Sequence, residues 1–196
     1  MDVHRTGMGA PRETKRTQAR TRSAYRRYRA FPAPIRSPRM AEVISSDVFT
    51  DLGSGIGNVA VQVYANTPMR RVRGIEFVKE RHNDAVRHAE EFKRTHQVDK
   101  DKEILLVNGD VCKEDWSDST IVFSSSTCFD DRAMECLRRN CEENPKLRYL
   151  VSSRELPPTT LRPLGVFENL DTSWSMKSDV TYWVYSNVPG VKLRDA

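Results

Sequence analysis

The sequence predicts an α/β fold, a mainly parallel sheet flanked by helices and closed by a C-terminal antiparallel hairpin. Three observations carry that expectation. Short apolar segments and longer amphipathic ones alternate from Val48 to Val151. A glycine-rich turn, Gly53-Ser54-Gly55-Ile56-Gly57, joins the first apolar segment to an apolar helix. Past Pro157, Pro158 and Pro163, two further strand-like segments, Val166 to Leu170 and Val180 to Tyr185, follow each other with only a polar stretch between them.

Charge divides the chain of 196 residues. Residues 1–39 hold eleven Arg and Lys against two acids, a net +9; the other 157 residues hold 21 basic against 25 acidic, a net −4. The basic segment is short of aliphatic residues and interrupted by Pro11, Pro32, Pro34 and Pro38, so it is expected to be a disordered arm. Residues 40–196 suit one domain with a sizeable core. Tyr25, Tyr28 and Phe31 interleave with arginines in the arm, a pattern suited to phosphates and stacked bases. A solvated tail, a nuclear-import signal or a mitochondrial leader are the other readings of that arm. Four cysteines without a C-x-x-C pair and four histidines without ligand spacing argue for reduced thiols and no metal site. No apolar run is long enough to span a membrane.

In chain order, Val48 to Leu52 is a buried strand ending in Asp51 and Leu52, and the turn and helix follow. A dinucleotide fingerprint is G-x-G-x-x-G, but here the third glycine comes one place early, as in motif I of S-adenosylmethionine-dependent methyltransferases, which this stretch resembles. Arg71 to Glu76 is the second strand. Glu76 lies 19 residues after Gly57, close to the roughly 20 expected of a carboxylate that grips ribose hydroxyls. Lys79 to His96 is a helix whose face of Ala85, Val86, Ala89 and Phe92 covers the sheet. Ile104 to Val107 is a third buried strand. Asp110, just past it, is placed to accept from an adenine amine, and Val111 offers the ring an apolar wall. Ile121 to Phe123 is a fourth strand leading into Ser124 and Ser125, Asp130 to Arg139 a helix, and Leu147 to Val151 a fifth strand. Open α/β sheets bind ligands at the carboxyl ends of their strands, and every candidate so far falls at such an end.

Taken together these motifs resemble the Dot1-like histone methyltransferases, which act on histone H3 without a SET domain; kinetoplastid members look most similar. The likeness runs from about Val48 to Tyr185. It rests on DLGSGIGNVAVQV, on GIE at Gly74–Glu76, on NGDVCKEDW at Asn108–Trp116, on LVSS at Leu150–Ser153, and on SWSMKSDVTYW at Ser173–Trp183. It implies a class I, Rossmann-like methyltransferase sheet, S-adenosylmethionine as cofactor, and a nuclear enzyme acting on a lysine of nucleosomal histone H3. By the same resemblance the cofactor contacts Asp51, Leu52, Gly53, Ser54, Gly55, Ile56, Gly57 and Asn58, then Glu76, Asp110 and Val111. Trp174 and Tyr182 match residues lining the family's lysine channel. The arm would meet DNA phosphates or an acidic histone surface.

Two departures stand out. Ser124 and Ser125 occupy the place of the family's asparagine pair, so Ser125 is the expected occupant of the catalytic pocket there. Residues 39–47 contain no Tyr-Gly-Glu lid loop of the kind the family places before its first strand. Two other functions therefore stand beside the first: a methyltransferase for RNA or a small molecule, and a catalytically silent chromatin-binding module.

Overall fold

The structure is a computed structural model, and the residues described are 43–97, 99–170 and 180–193. The basic arm and Trp174 lie outside them. Seven strands form one sheet in the order β3-β2-β1-β4-β5-β7-β6. Strands β1 (Val48–Leu52), β2 (Arg71–Glu76), β3 (Glu103–Asn108), β4 (Ile121–Ser124) and β5 (Tyr149–Ser152) run parallel. β7 (Val180–Ser186) pairs antiparallel with β5, and β6 (Arg162–Leu170) antiparallel with β7. This is the expected class I methyltransferase sheet with its closing hairpin.

Alternating side chains feed two cores. On one face Phe49, Val72, Phe123, Val151 and Tyr182 pack with Ala60, Val63 and Tyr64 of α1 (Asn58–Asn66) and with Phe92 of α2 (Lys79–Thr95). On the other, Leu52, Ile75, Val122 and Leu150 pack with Met134, Leu137 and Cys141 of α3 (Asp131–Glu143). Central strands buried on both faces read as continuous apolar runs, which is why β1, β4 and β5 are legible from sequence. α3 begins where Asp130 caps it by accepting from the Ala133 amide at 2.8 Å. It runs four residues beyond the expected Arg139, to Glu143. There Asn187 donates to the carbonyls of Cys141, Glu142 and Asn144 and satisfies the helix end.

Two expectations need correction. β3 is not a buried strand: it is an edge of the sheet, half-exposed along its length, with Leu105 46% exposed. Its apolar run ILLV reads as buried because an edge strand can stay apolar on both faces while the cover is partial: Ile104 and Leu106 pack on the first core and Val107 on the second, and Leu105 is left to solvent. Pro163 does not break the chain before β6 but lies inside it, paired with Tyr185. An edge strand tolerates a residue with no amide to donate, and register shifts at 163/165 and 167/170 absorb the irregularity. On the α3 face neither the β3–β4 nor the β5–β6 connection contains an α-helix. Trp116 fills the first gap, buried to 2% and donating through Nε1 to the Val111 carbonyl at 2.9 Å. No helix among the described residues is long and apolar enough to cross a membrane.

Candidate active site

Backbone conformation builds the first half of the site. Gly53, Gly55 and Gly57 all have positive φ (75°, 55° and 78°), which side chains rarely adopt. The turn is tied to β2 by the Gly53 and Ser54 amides, both donating to the Ile75 carbonyl at 2.9 and 3.0 Å. A Cβ on Gly57 would sit 2.9 Å from that of Ala85, and one on Gly53 would meet the Phe129 ring at 3.1 Å. A Cβ on Gly55 would meet no protein atom within 4 Å. Gly55 therefore faces open space, the one glycine of the three whose missing side chain leaves a cradle. α1 starts at Gly57, which has no side chain to cap it, and the Ala60 amide of its first turn is turned to the Asp51 carboxyl.

Glu76 is 6% exposed, and both of its oxygens are engaged: Oε2 accepts from the Gly55 amide at 2.7 Å and Oε1 from the Val78 amide at 2.8 Å. Each oxygen keeps a second lone pair, so the carboxylate can still accept from a diol while staying locked in place. Asp110 Oδ1 accepts from the Cys112 amide at 3.0 Å in a tight turn, which leaves Oδ2 with only the distant Lys113 at 4.0 Å. Val111 packs at the edge of the second core, its carbonyl held by Trp116. Sequence reasoning passed over two residues here. Phe77, next to Glu76, is 74% exposed, an uncommon exposure for a phenylalanine, and offers a second apolar surface beside that carboxylate. Trp116 fixes the loop carrying Asp110 and Val111; it ends the quoted NGDVCKEDW motif, but nothing in the sequence shows what its indole holds.

The second half converges from distant strands. Asp51 is 2% exposed at the end of β1. Burial, reinforced by the nearby Glu76 charge, pushes its carboxyl up to about 8, and the Ala60 amide of α1 opposes the rise. Tyr182 on β7 is 1% exposed and packs on Phe123, ring centroids 5.5 Å apart. Burial raises its phenol well above the ordinary range; the Asp51 charge adds to the rise, and the Ser125 hydroxyl works against it without completing a hydrogen bond. Tyr182 Oη and Asn58 Oδ1 are buried with no hydrogen-bond partner. Ser125 is half-buried beyond β4. Ser124 turns away: it is fully buried, its hydroxyl directed at the Leu52 carbonyl at 3.5 Å.

Unpartnered buried polar atoms are rare and call for an explanation: Gln62 Nε2 is one, along α1, and two more lie at the turn, Asn58 Oδ1 directly after it and Tyr182 Oη near Asp51. With the cradle at Gly55 and the pre-set carboxylate of Glu76, these two fit a ligand carrying a ribose at one end and an amino acid at the other. Leu52, Ser54 and Ile56 contribute backbone and packing: Leu52 is fully buried, Ser54 is 9% exposed, and Ile56 is 36% exposed at the rim.

Residues 39–176 match the family model described as "Histone methylation protein DOT1". No curated protein matches the chain. Among solved structures, the chain is similar to an RNA methyltransferase from Salinibacter ruber in complex with S-adenosyl-L-homocysteine, at 21% identity and TM-score 0.50, over 78% of this chain and 90% of that one. It is also similar to geranyl diphosphate C-methyltransferase from Streptomyces coelicolor A3(2), at 13% identity and TM-score 0.59, over 95% and 90%. A putative methylase from Haemophilus influenzae matches at 15% identity and TM-score 0.53, over 74% and 89%. At these identities the likeness establishes the fold.

Proposed function

We propose the following function for a chain that belongs to the DOT1 histone methylation family and has the fold of a class I methyltransferase: transfer of a methyl group from S-adenosylmethionine to a lysine in the globular core of nucleosomal histone H3, in the nucleus. The observation that carries the reading is that the glycine turn braced by Glu76 has an unpartnered polar atom at each side, Tyr182 Oη near Asp51 before it and Asn58 Oδ1 directly after it.

The cofactor supplies an activated sulfonium methyl for in-line displacement by an amine. The protein's part is then to orient, dehydrate and handle a proton. Glu76 accepts from the ribose hydroxyls with no reorganisation, because Gly55 and Val78 already hold it. Asp110 Oδ2 and the walls Val111 and Phe77 receive the base. Asp51, Asn58 and the first turn of α1 face the amino-acid end, where an ammonium would bring the Asp51 carboxyl back to its ionised form. On the acceptor side Tyr182 and Ser125 form walls against the lysine; Trp174, which the family resemblance assigns to the same channel, lies outside the described residues. A buried aromatic wall disfavours an ammonium and so favours the neutral amine that attacks. The basic arm meets nucleosomal DNA phosphates, a contact weakened by salt.

Transfer of a tritiated methyl group by the full chain tests this on nucleosomes, free histone H3 and RNA in parallel. Label on H3 within nucleosomes, with nucleosome binding that falls steeply as salt rises, is the expected result. Label confined to RNA would overturn the substrate; a folded chain that binds nucleosomes and transfers nothing would make it a silent chromatin module.

A further inference from the structure

The helix α2 reaches the glycine turn at two points. Ala85 lies against Gly57, where an added Cβ would be 2.9 Å from its methyl. Three residues on, His88 Nδ1 lies 3.0 Å from the Ile56 carbonyl. Residues three apart share a helix face, so the two contacts form one seam. A carbonyl only accepts, so His88 donates and carries its proton on Nδ1.

The Ile56 carbonyl belongs to the Ile56–Gly57 peptide, whose amide, on Gly57, donates to the Ser54 carbonyl at 2.8 Å. That single peptide plane is therefore held from both ends, by Ser54 within the turn and by His88 from a different element. On its far side stands Gly57, a glycine at positive φ with a free backbone; on its near side stands Ile56, with Gly55, also at positive φ, one residue before. With Gly57 on one side and Gly55 one residue beyond the other, the turn has room to reorient this peptide if one tether is cut.

We infer that His88 is a positioning residue for the cofactor: it fixes the Ile56–Gly57 peptide so that the turn is already in its binding shape. The inference rests on the glycine turn being the cofactor site. Without the tether the turn spends part of its time in other shapes, and the measured affinity falls by the fraction that remains competent.

Calorimetric titration of the full chain with S-adenosylmethionine, and separately with S-adenosylhomocysteine, tests it. His88→Ala is expected to weaken binding of both about five-fold, the scale of one exposed hydrogen bond. His88→Asn carries an N–H at the corresponding place on its side chain and is expected to return binding to within about two-fold of the original. Equal affinity of His88→Ala and the parent chain would overturn the assignment. So would an Asn variant as weak as the Ala variant, because a packing defect would not be rescued by the donor. If the parent chain binds neither ligand, the cofactor reading of the turn falls and takes this inference with it. If the parent binds and the variant series is flat, only the role of His88 falls.

Discussion

The two halves of the candidate site are built on opposite plans. On the proposed nucleotide side, Glu76 and Asp110 are held by backbone amides 2.7 to 3.0 Å away, Glu76 by Gly55 of the glycine turn and by Val78, Asp110 by Cys112, before any ligand arrives. On the other side of the turn, Asp51 and Tyr182 are buried and Asn58 Oδ1 is enclosed, with polar atoms unmatched or charge suppressed. The first half is preorganised and gains little stability or loses little by being empty. The second is costly when empty, and a ligand relieves it. Recognition and chemistry thus place opposite demands on neighbouring carboxylates, and burial sets the difference.

The largest effect that would break this contrast comes from Gly55→Arg. The side chain finds no protein atom to clash with, so the fold should survive with about 1 kcal/mol of left-handed strain, while the cradle is filled. Cofactor binding by calorimetry should fall beyond about 100-fold, roughly 2.7 kcal/mol; near-normal affinity would mean that the open space at Gly55 is not the ligand's.

Asp51→Asn sharpens the comparison from the other side. In the folded chain the Asp51 carboxyl is raised to about 8 from an ordinary 3.8. A raised carboxyl favours the folded state at low pH, and its penalty grows as pH climbs from about 4 to about 8. The substitution should therefore stabilise the ligand-free chain at pH 7 by up to about 4 kcal/mol and should flatten the loss of melting temperature between pH 5 and 8. It should also remove the rise in cofactor affinity expected up to about pH 8, where the ionised carboxyl becomes available without expelling a proton. A variant that melts lower than the parent at pH 8 would show that Asp51 is stabilised by its surroundings after all.

The smallest change is Trp116→Phe, which keeps most of the packing and deletes the bond to the Val111 carbonyl. A three- to ten-fold weaker cofactor, with a melting temperature lower by a few degrees, is the expected outcome. A loss of stability with unchanged affinity would make the indole a core residue with no bearing on Asp110 and Val111.

The same division explains what the sequence discloses. Strand ends, the glycine spacing and the acid 19 residues later are local facts, set by φ angles and the length of one βαβ unit, so Gly53 to Gly57 and Glu76 are readable without a structure. The union of Asp51, Ser125 and Tyr182 spans more than a hundred residues and depends on β7 inserting between β5 and β6. No periodicity records that insertion. His88 illustrates the limit most sharply: on the helical pattern it is a polar residue at the margin of the face of Ala85 and Ala89, and nothing in that pattern shows its bond to the turn 32 residues earlier. β3 misled for the converse reason, since an apolar run announces burial without saying how fully each side is covered.

The face carrying α3 has a further consequence. Its two connections cross the sheet without helices of their own, one closed by Trp116 and the other by the proline-rich stretch around Leu156. The cofactor strands do not depend on those crossings for their order. Chain inserted in the β5–β6 connection would enlarge the surface past Ser153 while leaving Glu76, Asp110 and Val111 untouched, whereas the β3–β4 connection itself carries Asp110 and Val111. The fold thus keeps a growing margin, where lineages can acquire new targets by lengthening loops instead of rebuilding the catalytic floor.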